Sequence, residues 1–134
     1  MHSEPAKIDV ICRVRNRVTE YLELASSFAA QCDYQTAVRD IHVPHEVMNQ
    51  FEDWVPNMSF VVEWTPAVFS HDERAALERF ARVWDEVATR TADSLPRLEE
   101  TLRLPEWEAL RRAAEVALSV CWVRGKLPEE DAPA

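Results

Sequence analysis

Two histidines and three carboxylates, His42, His45, Glu46, Glu52 and Asp53, gather side chains that could do chemistry into twelve residues. His42, His45, Glu46 and Asp53, with His71 downstream, are donor types that suit zinc, iron or manganese. The spacing His42-x-x-His45 straddles Pro44 at a helix start, so it lacks the one-face geometry that makes His-Glu-x-x-His informative. No metal is therefore expected, and His42 and His45 are the candidates if one binds. Cys32 and His42 are the minimum for a thiol nucleophile, but no pattern supplies activation or an oxyanion hole. No catalytic residue is assigned, no cofactor is expected, and a binding role is favoured over an enzymatic one.

The remaining chemistry is recognition, carried by Glu46, Asn49, Gln50, Glu52 and Asp53, then by Glu63 and Trp64. On a helix from Pro44 to Val55, Val47, Phe51 and Trp54 fall on one side, and Glu46, Asn49 or Gln50, and Asp53 fall on another. That polar stripe could receive an arginine or lysine from a partner, or ligate a divalent cation; a plain solvated face is the alternative. Glu52 and Asp53 point about 100° apart on a helix, so they are not a general acid–base pair. Trp64, beside Glu63 in an extended stretch, could anchor a partner or line a pocket.

Charge narrows the partner. The chain of 134 residues has 24 acids and 15 bases, a formal net charge of −9. From Asp33 to Ser70 the acids Asp33, Asp40, Glu46, Glu52, Asp53 and Glu63 face a single base, Arg39. Nucleic acid and anionic membrane reward clustered bases and are disfavoured, whereas a basic protein is favoured. The only lysines are Lys7 and Lys126, so the other bases are arginines, which suit fixed ion pairs. Gly125 is the sole glycine, which excludes the P-loop, the dinucleotide fingerprint and the nucleophile elbow. Cys12, Cys32 and Cys121 lack metal or disulfide spacing and are expected to be reduced. No signal-like or membrane-spanning run occurs, so a cytoplasmic location is expected.

The elements that must position these residues are helices. Ile11, Val14, Val18, Tyr21, Ala25 and Phe28 form the stripe of one long helix from Ala6 to about Cys32, with Arg13, Arg17 and Glu20 on a solvated face. From Asp33 to Val43 no clear period appears. Pro44 opens a short helix that Pro56-Asn57 stops, and Met58 to Phe69 is an extended apolar loop anchored by Phe60, Trp64 and Phe69. Ser70-x-x-Glu73 is a capping box opening a helix with stripe Leu77, Phe80, Trp84 and Val87, which runs to about Thr91. A short helix over Pro96–Leu102 follows. Pro105 starts the last helix, whose inner face is Trp107, Leu110, Ala114, Ala117 or Leu118, and Cys121 or Trp122; Gly125 suits its cap. The expected fold is all-α: a compact bundle of three long and one or two short helices with the apolar loop packed across it. One domain with an ordered core over about 6–126 and a disordered tail over 127–134 is expected. The stripe of the first helix also admits a homodimer seam.

The pattern Val43-Pro44, Glu46-Val47, Asn49-Gln50 and Glu52-Asp53-Trp54, followed by Val68-Phe69-Ser70 and a helix with Glu73, Phe80 and Trp84, resembles short bacterial all-α proteins. Their general character is that of immunity proteins and antitoxins that neutralise toxin enzymes. The resemblance covers part of the chain and carries no catalytic residues. It implies an acidic interaction module whose partner is a basic protein, such as a toxin. A small-molecule- or metal-binding helical domain is the alternative.

Overall fold

The computed structural model describes residues 3–54, 68–91, 95–123 and 126, with side chains described from Cys12 to Glu52 and in the later segments. Among these residues there are six helices and no strand, so the fold is all-α. They are α1 (Ser3–Ala25), α2 (Phe28–Ala37), α3 (Val43–Trp54), α4 (His71–Arg90), α5 (Leu98–Thr101) and α6 (Pro105–Trp122). No described helix is long and apolar enough to cross a membrane.

The expected single helix over Ala6–Cys32 is two. Ser26 and Ser27 end α1 and begin α2, because serine side chains compete with the helix for backbone groups. Ser27 is the α2 N-cap and accepts from the Ala30 amide at 3.0 Å. The α1 carbonyls freed by the break do not go unpaired. The buried Gln31 amide donates to the carbonyls of Leu24 at 3.1 Å and Ala25 at 3.3 Å, and its Oε1 accepts the Trp107 indole N–H at 2.9 Å. One amide thus closes α1 and fastens α2 to α6.

Helix α1 is the hub, packing on α2, α3 and α6, while α6 packs extensively on α4. Val18, Tyr21, Leu22 and Ala25 of α1 meet Val47, Met48 and Phe51 of α3, Leu77, Phe80 and Val87 of α4, and Trp107, Leu110, Ala114, Ala117 and Cys121 of α6 in one core. Phe51 lies 5.5 Å from Tyr21, 5.0 Å from Phe80 and 5.6 Å from Trp84, centroid to centroid. The Trp84 indole N–H donates to the Met48 carbonyl at 3.0 Å, tying α4 to α3.

Several expected local features are present. The Ser70–Glu73 capping box starts α4, and the short helix before Pro105 spans Leu98–Thr101. Phe69 is fully buried as an anchor; Met58 to Ala67, Gly125 and the tail lie outside the described residues. Of the paired alternatives on α6, Ala117 and Cys121 face inward. Trp122 does not fill the core: it is 57 % exposed.

An unexpected feature crosses this core. Arg15 is fully buried and makes a bidentate pair with Glu73 of α4, Nη1 to Oε1 at 2.7 Å and Nη2 to Oε2 at 2.9 Å. The same guanidinium donates to the carbonyls of Val68 at 3.0 Å and Cys121 at 3.1 Å, and lies over the Phe69 ring. Glu73 Oε1 also accepts the Ser70 amide at 2.8 Å. The capping box, the start of α4 and the last turn of α6 therefore share one cation.

Candidate functional site: the α3 face and its cleft

Helix α3 is fastened at its start by the connection from α2. Gln35 Oε1 accepts the Val43 amide at 3.3 Å, and the Gln35 amide donates to the Val38 carbonyl at 3.3 Å and to the Ile41 carbonyl. His42 occupies the N-cap position: its carbonyl accepts from the Glu46 amide at 3.2 Å and its Nδ1 accepts from the His45 amide at 3.3 Å. The ring's other nitrogen, Nε2, lies 3.1 Å from the Pro96 carbonyl. A carbonyl only accepts, so Nε2 carries the proton and Nδ1 the lone pair. Both ring nitrogens are occupied in structural hydrogen bonds.

This placement bears directly on the chemistry of the two histidines. The His42 and His45 rings lie tilted at 47° with centroids 4.1 Å apart, but His42 has no free lone pair for a metal and none with which to take a proton from Cys32. Among the described residues, no group of three His, Cys, Asp or Glu side chains is arranged to hold a metal.

The apolar and polar sides of α3 separate as helix arithmetic expects. Val47, Met48 and Phe51 are buried, Asn49 and Glu52 are exposed, and Glu46 and Gln50 are half-exposed. The Gln50 amide approaches Glu46 Oε1 at 3.5 Å, so these two residues touch across one turn. Asp53 and Trp54 continue the helix, but their side chains lie outside the described residues, as do Glu63 and Trp64. The structure thus brings Glu46, Asn49, Gln50 and Glu52 onto one helix. Helix α3 contains no lysine or arginine. Other acids have bases at hand: Glu108, for example, accepts from Arg111 at 2.7 Å and Arg112 at 2.8 Å.

Beside the α3 N-terminus lies a cleft of about 530 Å³ between α2, the α2–α3 connection and the start of α5. Ile41 and Leu98 give it apolar walls, Arg39, Asp40, Arg97 and Glu99 give it charge of both signs, and the exposed Cys32 lines it. The cleft leaves no mark in the sequence, because its walls come from three segments with no common motif. Arg15 does leave one, since it sits four residues after Ile11 and three before Val18, inside the apolar stripe. A charge at a stripe position is the signal that could have found it.

No family model matches this chain, and neither a curated protein nor a solved structure matches it.

Proposed function

We propose that this protein is an acidic protein-interaction module that binds a basic partner through the outward face of α3, with inhibition of a toxin-type enzyme as its sharpest form. The observation that supports this reading is the division of α3. Val47, Met48 and Phe51 lock one side into the core, and the other side offers Glu46, Asn49, Gln50 and Glu52 with no lysine or arginine on the helix. A helix held this firmly presents its carboxylates at low entropic cost, which favours arginine and lysine on a partner. Asp53, Glu63 and Trp64 extend the proposed face on the strength of the sequence.

The test is a partner isolated from the native host and titrated against the purified chain and its Gln50, Glu52 and Asp53 to alanine triple variant. The expected result is a basic protein whose affinity falls at least about tenfold, the scale set by truncating paired interface charges. Undiminished affinity of the triple variant removes the α3 face as the site.

The cleft beside α3 favours a second reading, a small-molecule-binding helical domain, since its volume lies within the range of ligand pockets. Native mass spectrometry of protein purified from the host tests it: a stoichiometric small molecule, lost on mutation of Arg39 and Arg97, would place the function there.

A further inference from the structure

Helix α6 buries one apolar face in the core, yet large apolar side chains stay exposed toward and just past its C-terminal end. Trp107, Leu110, Ala114, Ala117 and Cys121 are buried against α1 and α4. On the outside, Val116 is 55 %, Trp122 57 % and Val123 85 % exposed, three of the four large apolar side chains exposed among the described residues. Three such side chains within eight residues is more than the isolated exposure ordinary for a soluble protein.

Next to it, Leu118, Ser119 and Trp122 floor a shallow groove of about 390 Å³, walled by Glu23 of α1 and Glu115 of α6. Both carboxylates are loosely held. Glu23 reaches Lys126 only at 4.0 Å, and Lys126 sits closer to Glu20, at 3.2 Å. Glu115 reaches Arg111 at 3.6 Å, while Arg111 holds Glu108 at 2.7 Å. Two weakly paired carboxylates therefore flank an exposed indole in one groove, with Leu118 as its apolar floor.

We propose that this α1–α6 groove docks an arginine presented by an apolar segment of a protein partner. The guanidinium lies on the Trp122 ring and donates to Glu23 and Glu115, and an apolar neighbour in the segment packs on Leu118. Arginine fits better than lysine, because a planar fork can stack on an indole while donating from its edges to carboxylates on either side. The carboxylates disfavour an anionic membrane. A second copy of the chain is disfavoured by mutual repulsion at −9 each. This site goes beyond the α3 reading and does not depend on it, since it lies on different helices.

The experiment uses amide and indole NMR of the full chain, titrated with the peptide acetyl-Leu-Arg-Val-amide at millimolar concentration and with its citrulline counterpart, which keeps the shape and removes the charge. Saturable shifts of the Trp122 indole and the Leu118 and Ser119 amides are expected, with about tenfold weaker binding of the citrulline peptide. The double variant Glu23→Gln/Glu115→Gln is expected to lose a similar factor, and Trp122→Ala to abolish the shifts. All three side chains lie at the surface, and unchanged amide spectra elsewhere verify the fold of each variant. Equal binding of the two peptides, shifts confined to α3, or no saturable shift overturns the proposal. A dimer in sedimentation that Trp122→Ala dissolves overturns the choice of occupant.

Discussion

Arg15 and Glu73 show how one residue pair can decide whether three helices meet. Each charge is out of water, so its desolvation is offset only while the other is in place and the remaining donors are satisfied. Here they are: two carboxylate oxygens and two backbone carbonyls take up the guanidinium. Arg15→Ala leaves Glu73 buried without its cation and is expected to lower stability by about 3–5 kcal/mol in guanidinium denaturation. The double variant Arg15→Met/Glu73→Gln should lose less than the sum of the single losses, because neither uncompensated charge remains. Tyr21 makes the opposite point. Its hydroxyl is buried with no hydrogen-bond partner among the described residues, and burial pushes its pKa upward, so it stays neutral. Tyr21→Phe removes that polar atom and keeps the ring against Phe51 and Phe80. Thermal unfolding should show it unchanged or up to about 1 kcal/mol more stable.

Among the elements, α6 carries its own pH dependence. Hydrogen bonds from the Arg111 and Arg112 guanidiniums pull the Glu108 pKa from its ordinary 4.5 down to about 2. A carboxylate with a depressed folded pKa favours the folded state above its unfolded value, and the contribution is lost as pH falls from 4.5 through about 2. Glu108 is solvent-accessible, so the effect is small. In Glu108→Gln the unfolding midpoint should fall less steeply across that window than in the parent, by circular dichroism. Local signals marked the start of this helix, as they marked α4: Pro105 at the first position and Ser70-x-x-Glu73 each act through their own turn. The break between α1 and α2 was not legible in the same way. An apolar stripe runs through Ser26-Ser27 without a fault, and what makes the break tolerable is Gln31, whose amide fills the freed carbonyls while accepting from Trp107, distant in sequence. His42 is similar. Its type suggested a ligand, and its actual work, capping α3 and gripping the Pro96 carbonyl, depends on where α5 lies.

For the whole molecule, net charge sets how it would meet the proposed basic partner. At −9, encounter with a basic protein is steered over distances comparable to the screening length, about 10 Å at 0.1 M salt. Raising salt should slow association with such a partner severalfold while changing dissociation much less, as stopped-flow mixing would measure; a salt-independent on-rate would argue against charge as the basis of recognition. The sequence by itself determined the helical class, the Ser70–Glu73 cap, the proline-marked starts of α3 and α6, the acidity of the Asp33–Ser70 stretch and the two-sidedness of α3. Each of these follows from residues within one or two turns of each other, where spacing and backbone hydrogen bonding decide the outcome. Tertiary structure alone decided that Arg15 is buried, that the Glu73 of a capping box also serves as its counterion, and that Cys121 turns inward while Trp122 turns out. Adjacent residues on a helix differ by about 100°, and which of them meets the core depends on where α1 and α4 pack against α6. The polar stripe of α3 could be foreseen, whereas the cleft beside it and the Trp122 groove exist only because separate helices converge.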